Sequence, residues 1–225
     1  MPSFESMKTG YANMWASAKV KRRATVEKVA RGILVNRGKY EAVAHETGVP
    51  WEWIACVHHR ESSGSFAGVL HNGQRIIGAG RKTTLVPKGR GPFETWEAAA
   101  IDALKLKGLH KIADWSIPRM LFQFEDYNGW GYFNYRKVNS PYVWAATSHQ
   151  QPGKYVADGE WDATATDKQL GCAAILKVLY ELEGVKEPPK PSTHAPKPAP
   201  APSPDKPASL LSAFLRWLLD MLKRN

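Results

Sequence analysis

Between residues 187 and 208 the chain reads EPPKPSTHAPKPAPAPSPDKPA, which places nine of its sixteen prolines in 22 residues without one aromatic or large aliphatic side chain. Proline fixes φ and removes a backbone donor, so this stretch builds neither a helix nor a sheet, and it has nothing apolar to bury. Such a composition is expected to make an extended, semi-rigid spacer. The chain therefore divides into a body, 1–186, a linker, 187–208, and a short tail, 209–225. Only the body is long enough to bury a core. Nine Trp, eight Tyr and seven Phe exclude a disordered chain, and two cysteines cannot staple a disulfide framework. No apolar run reaches the roughly 18 residues of a membrane span.

The charge needs its own explanation. Lys and Arg number 31 against 21 Asp and Glu, a formal +10, and both body and tail are basic. Such a balance suits anionic partners: nucleic acid, acidic wall polymers or phosphate-rich lipid surfaces. The tail, SLLSAFLRWLLDMLKRN, has a narrow polar stripe of Ser209, Ser212, Arg216, Asp220 and Lys223 at three- and four-residue spacing on an otherwise apolar helix. Too short to span a bilayer, it reads as an interfacial helix. Phe214 and Trp217 would enter the lipid boundary while Arg216, Lys223 and Arg224 meet phosphates. Docking back on the body is the alternative. The opening residues MPSFESMKTGYANMW lack a basic start and a continuous apolar segment, so no cleavable signal peptide is expected.

In the body, apolar residues at helical spacing predict helices over 20–35, 39–46, 93–107, 118–124 and 167–182. Pro50 opens another, WEWIACVHHRESS, with Gly64 as its stop. Asn72-Gly73 between the short apolar segments Val69-Leu70 and Ile76-Ile77 suggests a small hairpin or irregular β-lobe extending to Pro92. Helices around one small β-lobe make an α+β, mainly α, domain.

Glu61, in the last turn of the Pro50 helix, is the leading candidate for chemistry. The negative end of the helix dipole disfavours its carboxylate, and the face carrying Ile54, Val57 and His58 desolvates it. An acid kept neutral near pH 7 is what protonation of a glycosidic oxygen requires. Taken alone, a helix-terminal Glu is more often a solvated surface residue.

The order helix, Glu-Ser-Ser-Gly-Ser-Phe, short β-lobe, helices resembles the lysozyme-like superfamily of peptidoglycan-cleaving enzymes. The runs HHRESSGSFAGVLHNGQ (58–74), VPKGRGP (86–92), YNGWGY (127–132), SPYVW (140–144) and GKYVADGEWD (153–162) are similar to phage and bacterial endolysins of the lysozyme family. The resemblance covers most of 58–182, not the first 35 residues or the tail. It implies a lysozyme-like domain with Glu61 as general acid and Thr83 or Thr84 holding an attacking water. His71 and Asn72 are expected beside the substrate, with His58 or His71 hydrogen-bonding near the acid or packing structurally. The resemblance also implies a protein made in the host cytoplasm that acts on the cell wall after release. Gln74 stands where members of that family tend to carry Asp, and no acidic residue occurs between Glu61 and Glu94. A two-carboxylate mechanism then needs Glu125 or Asp126; a single-acid mechanism is equally consistent.

Seven aromatics, Tyr127, Trp130, Tyr132, Phe133, Tyr135, Tyr142 and Trp144, fall among Asn128, Asn134, Asn139 and glycines. Flat rings beside amides suit the C–H faces and hydroxyl edges of sugars, although about half of them should be core. Few cations accompany them, which argues against nucleic acid. Adjacent helical residues such as His58 and His59 point about 100° apart and cannot share one ion, so no metal or other cofactor is expected. Cys56 and Cys172 read as buried free thiols. The expectation is a monomeric peptidoglycan muramidase whose basic body and tail meet an anionic lipid or lipopolysaccharide surface. A lytic transglycosylase, a chitinase-like glycosidase and a non-enzymatic, membrane-active envelope binder are the alternatives.

Overall fold

The computed structural model describes residues 2–157 and 159–185. The linker 187–208 and the tail 209–225, with Phe214, Arg216, Trp217, Lys223 and Arg224, lie outside the described residues. Eight α-helices and one two-stranded sheet are described, with short 3-10 and π turns at Leu109–Lys111 and Tyr132–Arg136: α1 (Phe4–Ser17), α2 (Arg23–Val35), α3 (Arg37–Thr47), α4 (Trp51–Ser62), α5 (Trp96–Leu106), α6 (Ile117–Asn128), α7 (Pro141–Trp144), β1 (Lys154–Ala157), β2 (Glu160–Asp162) and α8 (Cys172–Leu182). The body is thus mainly helical with a small β element.

Helix α4 is the axis of the fold. Every residue from Trp51 to His58 is buried, as expected of a helix apolar on all sides. It packs between α3 and α8, while α1 lies on α6 and α7 bridges α6 to α8. Trp53 stacks on Phe124 of α6 with ring centroids 5.2 Å apart and donates its indole N–H to the Met120 carbonyl at 3.2 Å. Cys56 and Cys172 are both buried and free.

Several boundaries differ from expectation. Helix α1, unannounced by its weak periodicity, is capped by Ser3 and held by burial of Phe4 and Tyr11. Helix α2 begins at Arg23, not at residue 20, because Val20 pairs in an isolated bridge with Thr147 and Arg22 turns left-handed. Thr95 caps α5 through the Ala98 N–H, so 93–95 stay outside it. Helix α8 starts at Cys172, and residues 167–171 run as a strap before it. Region 69–92 forms no strand, only an isolated bridge between Gly68 and Arg75. The sheet lies instead at β1–β2, an antiparallel hairpin pairing Lys154 with Asp162 and Tyr155 with Trp161.

Candidate active site

Helix α4 leaves the core at its last turn. The chain then reverses: Ser63 adopts φ 55° and Gly64 φ 76°, and the Ser63 N–H donates to the His59 carbonyl at 2.9 Å. His58 fastens this reversal from inside. Its Nε2 donates to the Ser65 carbonyl at 3.1 Å, so Nδ1 accepts from the Tyr40 hydroxyl at 3.0 Å. Burial pushes its pKa down to about 4, keeping it neutral in this role. His58 is therefore a structural histidine.

Glu61 is partly buried beside α6 and α7. The Tyr142 hydroxyl donates to its Oε1 at 2.8 Å. Tyr127, buried alongside, donates its hydroxyl to the Leu70 carbonyl at 2.7 Å, and the Lys107 ammonium lies 5.1 Å from the Tyr127 ring centroid. Burial pushes the Glu61 carboxyl up to about 7, even though the Tyr142 hydrogen bond and the charges of Arg60 and Lys107 pull the other way. The group is a neutral proton donor near pH 7 whose conjugate base finds a hydrogen bond and two cations ready for it.

The loop after α4 packs directly on the backbone of Glu61. A Cβ at Gly73, where φ is 75°, would collide with the Glu61 carbonyl oxygen, so this position demands glycine for both space and conformation. Asn72 ties the loop together: its Oδ1 accepts from Gln74 N at 3.1 Å and its Nδ2 donates to the Leu85 and Val86 carbonyls. Gln74 uses its amide in both senses, accepting from Thr84 N and Leu85 N and donating to the Thr84 hydroxyl at 2.8 Å. It is a loop tie. Thr83 is buried, donates to the Pro87 carbonyl and accepts from Arg90 N, so its hydroxyl is committed to the loop rather than aimed at a water. Thr84 is exposed with its hydroxyl on Gln74. Neither threonine hydrogen-bonds Glu61.

His71 is paired with Asp102 of α5, its Nε2 2.8 Å from Oδ2. Asp102 also binds the Arg90 guanidinium, and although burial opposes it, Arg90 and His71 hold this carboxyl below its usual range. The triad fixes the loop to α5. Nothing in the sequence separates Asp102 from an ordinary helix-surface carboxylate.

The aromatic window divides. Tyr127, Trp130, Tyr142 and Trp144 are buried, Tyr132 is partly so, and Phe133 and Tyr135 are exposed. Trp144 stacks on Tyr11 and belongs to the core, not to a groove. Glu125 is likewise a core residue: its carboxylate takes the Tyr11 hydroxyl between α1 and α6, with burial raising its pKa. It lines no substrate path. Asp126 accepts the Trp130 indole N–H at 2.7 Å, a bond from α6 to the turn that follows it, and Asn128 ends α6 exposed. Tyr132 meets a group that sequence reading missed. Its ring packs edge-on to Tyr155 and Trp161 of the hairpin at 5.3 and 5.8 Å, and Arg136 lies 4.8 Å from the Trp161 ring centroid. The signal was GKYVADGEWD, whose alternation marks strands around a turn.

Among the described residues, no group of three or more His, Cys, Asp or Glu side chains is placed to hold a metal ion. No described helix is long and apolar enough to cross a membrane. Comparison with protein-family models, with curated proteins and with solved structures finds no match for this chain.

Proposed function

We propose that the chain is a glycoside hydrolase of muramidase type, which cuts the glycan strand of peptidoglycan with Glu61 as general acid. The observation that carries this reading is a carboxylic acid held neutral up to about pH 7 where the central helix emerges, with the Tyr142 hydroxyl on Oε1 and Oε2 free of it. Oε2 would protonate the glycosidic oxygen as the C–O bond breaks. As negative charge develops on Glu61, the Tyr142 O–H, Arg60 and Lys107 stabilise it more strongly than they stabilise the neutral acid, which lowers the barrier.

Among the described residues, the charges that act on Glu61 are the cations Arg60 and Lys107, and the one carboxylate beside them, Asp167, is held by Arg60 at 3.1 Å. Gln74 serves the loop and Glu125 the core. This favours a single-acid course, in which the sugar cation is captured by water or by a hydroxyl of the same sugar; the second outcome is that of a lytic transglycosylase. Tyr132, Tyr155 and Trp161 with Arg136 offer ring faces suited to sugars. The acid-free stretch between Glu61 and Glu94, with Arg75, Arg81, Lys82, Lys88 and Arg90, supports contact with an anionic envelope. The tail 209–225 would add lipid or lipopolysaccharide contact, and no cofactor is required.

Mass spectrometry of purified peptidoglycan after incubation with the full chain tests the reading. New reducing muramyl ends support hydrolysis, and anhydro ends support the transglycosylase course. Cut peptide stems, activity confined to chitin oligomers, or undigested wall with bound protein would each replace it.

A further inference from the structure

We propose that the Arg60–Asp167 ion pair holds the Glu61 carboxyl and the Tyr142 hydroxyl on each other, making Arg60 and Asp167 positioning residues for the acid. The proposal rests on the reading of Glu61 above. Arg60 precedes Glu61 on α4, and its guanidinium donates to Asp167 Oδ2 at 3.1 Å and to the Leu170 carbonyl at 3.3 Å. The guanidinium carbon also lies 4.8 Å from the centroid of the Tyr142 ring, the ring whose hydroxyl meets Glu61.

The strap 167–171 is built around this pair. Gln169 donates to the Arg60 carbonyl at 2.7 Å, which the end of α4 leaves open, and adds a second bond at 3.3 Å to the His59 carbonyl. Asp167 Oδ1 accepts from Gln169 N at 3.0 Å and from Lys154 of β1 at 3.3 Å. At the other end of the strap, the Gly171 N–H donates to the Ala145 carbonyl at 3.0 Å, and a Cβ there would strike the backbone of Val143 and Ala145 at the end of α7. One segment therefore clamps the two elements that carry Glu61 and Tyr142.

Packing alone does not call for charge here. Arg60 and Asp167 side chains are only 8% and 4% exposed, a pair so buried gains little net stability, and Arg60 Nε has no hydrogen-bond partner. Apolar residues would hold the strap as well. What apolar residues cannot supply is a compensated cation beside the acid. The other groups facing Glu61 are Lys107 after α5, Tyr127 on α6, Tyr142 on α7 and Cys172 at the start of α8. Of these only Lys107 is charged near neutrality.

The test is carboxyl-carbon NMR titration of Glu61 in the full chain, read beside the pH profile of wall digestion. Asp167→Asn leaves Arg60 uncompensated, so the Glu61 midpoint and the basic limb of activity should fall together by about 0.5–1 pH unit. Arg60→Gln should raise both, and the double variant should return them towards the parent. Lys154→Gln, a milder change at a side chain 36% exposed, should raise them by less and decides the matter if Arg60→Gln fails to fold. Midpoints unchanged in Asp167→Asn and Lys154→Gln, with only the melting temperature moved, would overturn the proposal. Midpoints that move as stated while Glu61→Gln still digests wall at full rate would support the pair's hold on the carboxyl and overturn the function instead.

Discussion

Helix α4 carries two carboxylic acids nine residues apart, hence on opposite faces, and burial pushes both Glu52 and Glu61 up to about 7. Their surroundings differ. Glu52, in the first turn, is 7% exposed and faces Arg37 and Glu41 of α3 and Glu183 after α8. Glu61, in the last turn, is reached by solvent, takes a hydrogen bond from a buried tyrosine and lies under a glycine-tight loop. A neutral carboxyl is thus common to a core position and a site position. What distinguishes the site is access, a donor aimed at the developing charge, and two cations, Arg60 and Lys107, acting on the carboxyl.

The largest expected contrast is in turnover. Glu61→Gln should lower wall digestion by about 10²–10⁴-fold, the usual range for a general acid, while Glu52→Gln stays within a few-fold of the parent. Initial rates of turbidity loss on purified walls measure both. Comparable losses in the two variants would erase the distinction between the two faces.

Stability should respond alike on both faces. A carboxyl whose folded pKa, about 7, exceeds its ordinary value favours folding fully at pH below that ordinary value, and the contribution is lost as pH rises through about 7. Replacing either acid by Gln should therefore stabilise the protein at pH 8 and leave it unchanged at pH 4. The gain is at most about 3 kcal/mol at Glu52 and less at the more exposed Glu61. Denaturant unfolding at the two pH values reads it.

Smaller effects separate the two environments. Tyr142→Phe removes the hydrogen bond that favours ionised Glu61, so the basic limb of activity should move to higher pH and the rate should fall by about tenfold. Smallest of all, Arg37→Gln should raise the Glu52 midpoint and leave the pH profile of digestion unmoved. A shift of that profile would couple the two ends of α4.

Much of this was legible in the chain because it is local. Pro50, the apolar run to His58 and Gly64 mark α4 with its ends, and Glu61 follows from its place in the last turn. The proline-rich stretch divides the chain by composition. What escaped is what tertiary contact alone decides. Helix α1 owes its place to Phe4 and Tyr11 buried on α6, with Tyr11 reaching Glu125, 114 residues away. Arg60 and Asp167 are 107 residues apart, and neither differs in its sequence context from a surface charge. Trp144 and Glu125 read as groove residues because a ring or a carboxylate in an aromatic window has no local signature of burial. The lobe after Leu70 read as a small hairpin or irregular β-lobe because Asn-Gly is a turn signal; its apolar segments are too short for a ladder, so one bridge, a few backbone hydrogen bonds and the side-chain amides of Asn72 and Gln74 hold it.

The central claim is that a protonated Glu61 transfers its proton to the glycan. Carboxyl-carbon titration of Glu61 in the full chain, overlaid on the pH dependence of peptidoglycan digestion, tests it most directly. The account predicts one midpoint near pH 7 in both, with digestion falling as Glu61 ionises. A Glu61 that ionises near the ordinary value of a glutamate while digestion continues unchanged above pH 7 would contradict it.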